Sequence, residues 1–257
     1  MGTVLVTGAT SGLGREFCWQ LAAANHKLVM VARNEDRLQE LGAEIHNVAG
    51  VRVETIAADI AEPEQLAAVC VRLAEGREDG VPPIDFLINN AGFGLEKPFL
   101  DNDLDEELYG LEVMVRAVMA TSYYAGRAMR ERGHGAILNV SSVAADTAMG
   151  PYSAHKAWVR TFSEGLAQEL RGTGVTVTAV TPGLVHTEFH QRMGDDFSQF
   201  PEFLWARPER VVTEALAAVR RGQVLVTPTP LYKAVNGLAR VLPRSVVRAV
   251  SGRLAQM

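Results

Sequence analysis

Short apolar runs recur along the chain and alternate with longer stretches of mixed character. TVLVTG (3–8), KLVMVA (27–32), VRVETIA (51–57), IDFLIN (84–89), GAILNVS (135–141), VTVTAV (175–180) and QVLVTP (223–228) are rich in Val, Ile and Leu, and several are almost continuously apolar. A strand covered on both faces needs no polar alternation, so these runs predict a parallel sheet rather than a half-solvated antiparallel one. Between them, residues 13–24, 34–48, 62–79, 104–132, 152–171 and 208–221 are helix-compatible. This alternation implies right-handed crossovers and an α/β, doubly wound sheet of about seven strands with helices on both faces. Residues 184–207, rich in Phe and Trp, break the pattern where a loop should leave the carboxyl end of a strand, the edge at which such sheets bind ligands.

With 257 residues, 47% of them hydrophobic, the chain can bury one large core, so a single domain is expected, with 1–230 as its body and 231–257 as a tail. No apolar run reaches the ~18 to 20 residues of a membrane helix, and MGTVLVTGATSG has no signal-peptide layout, which points to the cytoplasm. Cys18 and Cys70 lie far apart with no CxxC or His-rich context, so neither a metal site nor a disulfide framework is expected and both read as small core residues. A net charge of −5 gives no reason to expect nucleic-acid binding. The tail departs from it: Lys233, Arg240, Arg244, Arg248 and Arg253 stand there without an acid, giving +5 against −10 elsewhere. Arg240, Arg244 and Arg248 recur every four residues, and Pro243 should begin or kink a second segment. Such a basic amphipathic cap either docks on its own subunit or a neighbour, or makes weak peripheral contact with anionic lipid.

The first strand runs into TGATSGLGREF (7–17), with Gly8, Gly12 and Gly14 spaced GxxxGxG. Glycine permits the tight turn and lets a pyrophosphate approach the amides at a helix N-terminus, so this turn reads as a dinucleotide site. The end of the second strand then sorts the dinucleotides. NAD calls for an acid there to hold the ribose 2′-hydroxyl, whereas a 2′-phosphate needs a cation. VARNEDR places Ala32 and Arg33 at that point with Arg37 a turn on, favouring NADP over NAD; the alternative leaves Arg33 on the surface and gives the ribose to Glu35 or Asp36.

GPYSAHKAW (150–158) sets Tyr152 and Lys156 four apart, on one face of a helix. Alone, the spacing fits a packed tyrosine and a solvated lysine equally well. Lowering a tyrosine from about 10 by about three pH units requires roughly 4 kcal/mol, which one ammonium about 4 Å away at an effective dielectric near 20 supplies. Lys156 would then be there for its charge.

TGATSGLG (7–14), NNAG (89–92), Ser142 after the fifth strand, YSAHK (152–156) and TPGLVHT (181–187) follow in the order and approximate spacing of the short-chain dehydrogenase/reductase family, which the chain resembles over residues 3–228. The resemblance implies a single-domain Rossmann-type fold, NAD(P)-dependent interconversion of alcohols and carbonyls, and a homodimer or homotetramer. It makes Tyr152 the acid/base, Lys156 its partner and Ser142 the group that holds the substrate oxygen; strand alternation also prefers Ser142 over Ser141. It implies dinucleotide contacts from Gly8, Thr10, Ser11, Gly12, Leu13 and Gly14, from Asp59 and Ile60 near the adenine, from Asn89, Ala91 and Gly92, from Tyr152 and Lys156, and from Pro182, Gly183, Val185 and Thr187.

Two departures stand out. The asparagine usual in the helix before the fifth strand is replaced by Met114, whose sulfur is a poor acceptor, and the interval from Ser142 to Tyr152 is about three residues short. Pocket candidates are Phe93, Leu95, Met149, Leu184, Phe189, Met193, Phe197, Phe203, Leu204 and Trp205, a mostly apolar set that suits a small hydrophobic ketone or alcohol. His155, His186 and His190 read as bystanders, since no carboxylate cluster accompanies them. A 3-oxoacyl-thioester reductase and a non-catalytic dinucleotide sensor or scaffold are the competing functions.

Overall fold

The seven apolar runs form one parallel sheet: β1 (Thr3–Thr7), β2 (Lys27–Ala32), β3 (Val53–Ala57), β4 (Ile84–Asn89), β5 (Gly135–Val140), β6 (Val175–Val180) and the two-residue β7 (Leu225–Val226). Their order is β3-β2-β1-β4-β5-β6-β7. The computed structural model describes residues 2–75, 80–95, 97–187 and 201–254. Because the chain winds outward in both directions from β1 and β4, the loops leaving these two strands part and open a crevice at the carboxyl edge.

Helices α1 (Gly12–Ala23), α2 (Glu35–Ala49), α3 (Pro63–Ala74), α4 (Leu104–Leu111), α5 (Ala117–Arg132), α6 (Gly150–Glu169) and α7 (Pro208–Arg220) cover the sheet. Side chains of successive strand residues leave on opposite faces, and the core divides accordingly. Val4, Val6, Leu28 and Met30 pack with Phe17 and Leu21 of α1, Leu38 and Ile45 of α2 and Val212 of α7. Leu5, Val29, Val31, Leu87 and Ile137 pack with Leu66 and Leu73 of α3 and with Ala125 and Met129 of α5 on the other face. Cys18 and Cys70 are buried and free, one in each cluster.

The stretch 104–132 is not the one helix its pattern predicts. A π-helical turn, Glu112–Arg116, separates α4 from α5 and carries Met114. The tail forms α8 (Pro230–Val241) and α9 (Arg244–Leu254), broken at Leu242–Pro243 as the proline requires. Arg240 therefore belongs to one helix and Arg244 and Arg248 to the next, so the fourfold spacing does not mark one continuous face.

Candidate active site

At the end of β1 the backbone of Gly8 turns through φ +64, and a Cβ on Gly14 would fall 2.0 Å from the Gly8 carbonyl oxygen. Only glycine closes this turn onto the start of α1. Asn90 clamps it from β4: its Nδ2 donates to the carbonyls of Thr7 at 3.0 Å and Gly8 at 3.2 Å, while Thr7 Oγ1 accepts from the amides of Asn90 at 3.0 Å and Ala91 at 3.1 Å. Thr187 closes on the same turn, its Cβ 3.2 Å from where one on Gly12 would stand. A close-approach turn at a helix start, facing an exposed arginine at the end of the next strand, fits a dinucleotide. The holding residues would be Gly8, Thr10, Ser11, Gly12 and Gly14 at the turn, Arg33 and Asp59 beyond it, and Ala91 and Gly92.

Several expected contacts have other duties. The Asn89 side chain does not face the crevice: its Nδ2 donates to Ser122 at 3.1 Å and Asn139 at 2.9 Å, and its Oδ1 accepts from Thr121 at 2.8 Å. These bonds bind β4, β5 and α5 together, because a buried amide must find partners somewhere. Leu13 packs against the core, and Val185 is buried where it pairs with Ala206 in an isolated bridge.

Ser141 and Ser142 split as strand alternation predicts. Ser141 is buried and donates to the Lys156 carbonyl at 2.7 Å, whereas Ser142 faces Tyr152 and is hydrogen bonded to it. The Lys156 ammonium lies 5.7 Å from the Tyr152 ring centroid and donates to the Val140 carbonyl at 3.0 Å. The expected lowering of the tyrosine is not met in this arrangement. Burial pushes Tyr152 up to about 12, offset in part by the Ser142 bond, and brings Lys156 down to about 8. Desolvation penalises both charged forms, and the ammonium here is paired with a backbone carbonyl.

Behind the lysine lies a group of buried side chains that the sequence does not announce. Fully buried Met114 packs where a Cβ on Gly92 would meet Lys156 Nζ at 3.2 Å and the thioether sulfur at 3.6 Å. His155 and Glu107 are buried beside them, and His155 Nδ1 and Glu107 Oε2 have no hydrogen-bond partner. Burial and the Lys156 charge hold the imidazole below its usual range, against a raising effect from Glu107. The fold thus sets His155 under the influence of Glu107 of α4 as well as of its sequence neighbour Lys156. His186 instead donates from Nε2 to Glu202 Oε1 at 2.9 Å and stacks on Trp205.

Of the pocket candidates, Met149 is exposed just ahead of Tyr152, and Leu184 and Trp205 are half-buried. Phe93 turns towards Tyr109, ring centroids 5.4 Å apart, beside the Arg33–Tyr109–Asp59 contacts. Phe189, Met193, Phe197 and His190 lie outside the described residues. Among the described residues no group of three or more His, Cys, Asp or Glu could hold a metal, and no helix is long and apolar enough to cross a membrane.

Residues 2–197 match the family model for short chain dehydrogenases. The chain belongs to that family. It shares the family's class of chemistry, oxidation or reduction at a CH–OH or C=O carbon. The chain is 35% identical over 191 residues to a short chain dehydrogenase of Pseudocercospora fijiensis, covering 72% of this chain and 60% of that one. A very-long-chain 3-oxoacyl-CoA reductase of Anas platyrhynchos is 33% identical, across 84% of this chain and 68% of its own. Among solved structures, a short-chain dehydrogenase of Sphingobium yanoikuyae in complex with NADPH superposes with a TM-score of 0.84 at 32% identity, covering 95% of this chain and 96% of that chain. A bulky-bulky ketone specific alcohol dehydrogenase of Comamonas testosteroni gives 0.78 at 29% identity, with the same coverage.

Two residues of this short-chain dehydrogenase that carry no motif hold distant segments together. Tyr109 joins Arg33 to Asp59, and Tyr232 of α8 lies over Gly183, where an added Cβ would stand 2.1 Å from its ring. Tyr232 also accepts from the Leu184 amide at 3.2 Å. Neither could be found from local pattern, because each acts through a segment distant in the chain.

Proposed function

We propose that the chain is an NADP-dependent oxidoreductase that interconverts a carbonyl and a secondary alcohol on a small hydrophobic substrate. The observation that carries this reading is the Ser142–Tyr152 hydrogen bond at the carboxyl end of β5, with Lys156 one turn behind the tyrosine. When bound, the nicotinamide supplies or accepts a hydride at the substrate carbon. In reduction Tyr152 gives its phenolic proton to the carbonyl oxygen, and in oxidation the phenolate takes the alcohol proton. Ser142 holds that oxygen, and the Lys156 charge steadies the phenolate as it forms. The segment from Pro182 to Thr187 would hold the nicotinamide end.

Preference for NADP rests on Ala32, where a ribose-binding acid would otherwise stand, and on exposed Arg33. The relative that carries NADPH supports it. A hydrophobic substrate follows from Met149, Leu184 and Trp205, and the resemblance to a bulky-ketone dehydrogenase agrees. The likeness to a 3-oxoacyl-CoA reductase supports a second reading, an acyl-thioester substrate for which exposed Arg244 and Arg248 would supply a basic rim.

Replacing Tyr152→Phe tests the first reading. It should cut kcat by at least ~10²-fold and leave NADPH affinity within a few-fold, since it removes one proton donor. Retention of a tenth of wild-type kcat would sink the assignment. A panel of bulky ketones and 3-oxoacyl thioesters separates the two substrates, and NADPH binding without turnover on any of them would favour a sensor.

A further inference from the structure

The adenosine end of the crevice contains a hydrogen-bonded chain made of residues far apart in sequence. Tyr109 of α4 donates to Asp59 Oδ2 at 2.8 Å and accepts from Arg33 Nη1 at 2.7 Å. The guanidinium carbon lies 5.8 Å from the centroid of the tyrosine ring, and Phe93 packs on that ring. Asp59 is held from its other side as well, Oδ1 accepting from the Ala61 amide at 3.0 Å. One phenol therefore ties the residues that follow β2 and β3 to the helix that follows β4.

The donor count gives this arrangement its meaning. The phenol has one proton, and it is committed to Asp59, so the oxygen meets Arg33 as an acceptor. Burial and the bond to Asp59 push the phenol above its usual range, which keeps it neutral and leaves the arginine's positive charge in place. With one of five N–H donors spent, the planar guanidinium keeps the others for an anion such as a phosphate, held by two parallel bonds. An exposed arginine without such a tether samples many rotamers, and ordering it on binding subtracts from affinity for whatever it binds.

We propose that Tyr109 is a positioning residue for 2′-phosphorylated dinucleotides, holding Arg33 where it meets the phosphate and coupling it to Asp59. The proposal rests on the reading of Arg33 as the phosphate's cation, and the experiment separates the two. Full-length protein is titrated with NADPH, NADH, 2′,5′-ADP and 5′-AMP, as wild type, Tyr109→Phe, Arg33→Ala and the double variant. The phenylalanine keeps the ring against Phe93, and an unchanged melting temperature verifies the fold.

Wild type should prefer the 2′-phosphorylated member of each pair. Tyr109→Phe should weaken NADPH and 2′,5′-ADP about three- to tenfold, the loss expected for freeing one long side chain, and leave NADH and 5′-AMP within about twofold. Arg33→Ala should cost more, and adding Tyr109→Phe to it should cost nothing further, because the tyrosine acts through the arginine. Equal weakening of all four ligands would make Tyr109 only a wall. No change, or tighter NADPH binding, would equally overturn its role. A wild type that prefers NADH would overturn the reading of Arg33 itself, and the proposal with it.

Discussion

Lys156 shows at a single residue how function is set against stability. Its ammonium is buried and donates to the Val140 carbonyl, and its pKa falls from 10.5 to about 8. The unfolded chain therefore binds more protons than the folded one between about pH 8 and 10.5. The burial cost is full below about pH 8, is released as pH rises through that window, and is of order 3 kcal/mol. Lys156→Met should abolish turnover yet raise the melting temperature of the ligand-free protein at pH 7, with a smaller gain at pH 10; thermal unfolding at the two pH values checks it. Met114 is the neighbour that offers the ammonium no good acceptor. Met114→Asn should favour the charged lysine and move its limb of the pH–kcat profile upward, by up to about one unit. A profile that stays in place would assign that limb to another group, for which the unpartnered His155 and Glu107 atoms are candidates.

The elements show which local signals can be read without a fold. Apolar continuity placed the strands to within a residue or two, except β7, where six predicted residues shorten to two because only Leu225 and Val226 pair with β6. The π-helical turn at Glu112–Arg116 was invisible, since a single widened turn leaves no residue-type signal of its own in an otherwise helix-compatible stretch. That turn carries the side chain that packs beside Lys156 and Gly92. The glycine-rich turn was legible as a dinucleotide loop, but the reason for its third glycine is a backbone approach between Gly14 and Gly8. Gly14→Ala should displace the turn from α1, cost about 1 to 3 kcal/mol in stability and weaken NADPH binding at least tenfold, measured by denaturant unfolding and titration. Backbone atoms cannot rotate away as a flexible side chain would.

At the scale of the whole molecule, the tail packs against the segments that follow β5 and β6. Tyr232 lies over Gly183 and Leu184, the Ala148 amide donates to Ser251 Oγ at 3.1 Å, and Arg244 donates to the Asp146 carbonyl at 3.3 Å. Asp146 is itself paired with Arg160. Both walls beside Ser142 and Tyr152 thus lean on α8 and α9, and at these contacts the tail docks on its own subunit. Deleting residues 231–257 should lower the melting temperature and reduce kcat/KM by at least tenfold, while dinucleotide affinity falls less, because Gly8–Gly14 and Arg33 touch none of the tail contacts described. The sequence by itself determined the alternation of strand and helix, the glycine turn, the cation after β2 and the tyrosine–lysine pair, because each depends on neighbours within one turn or one strand. The tertiary structure alone decided that Asn89 serves the interior, that Tyr109 links two strand ends, that His155 is set beside Glu107 and that Tyr232 lies over the Gly183 segment. Those roles arise from contacts between residues tens of positions apart, and only the winding of the sheet brings such residues together.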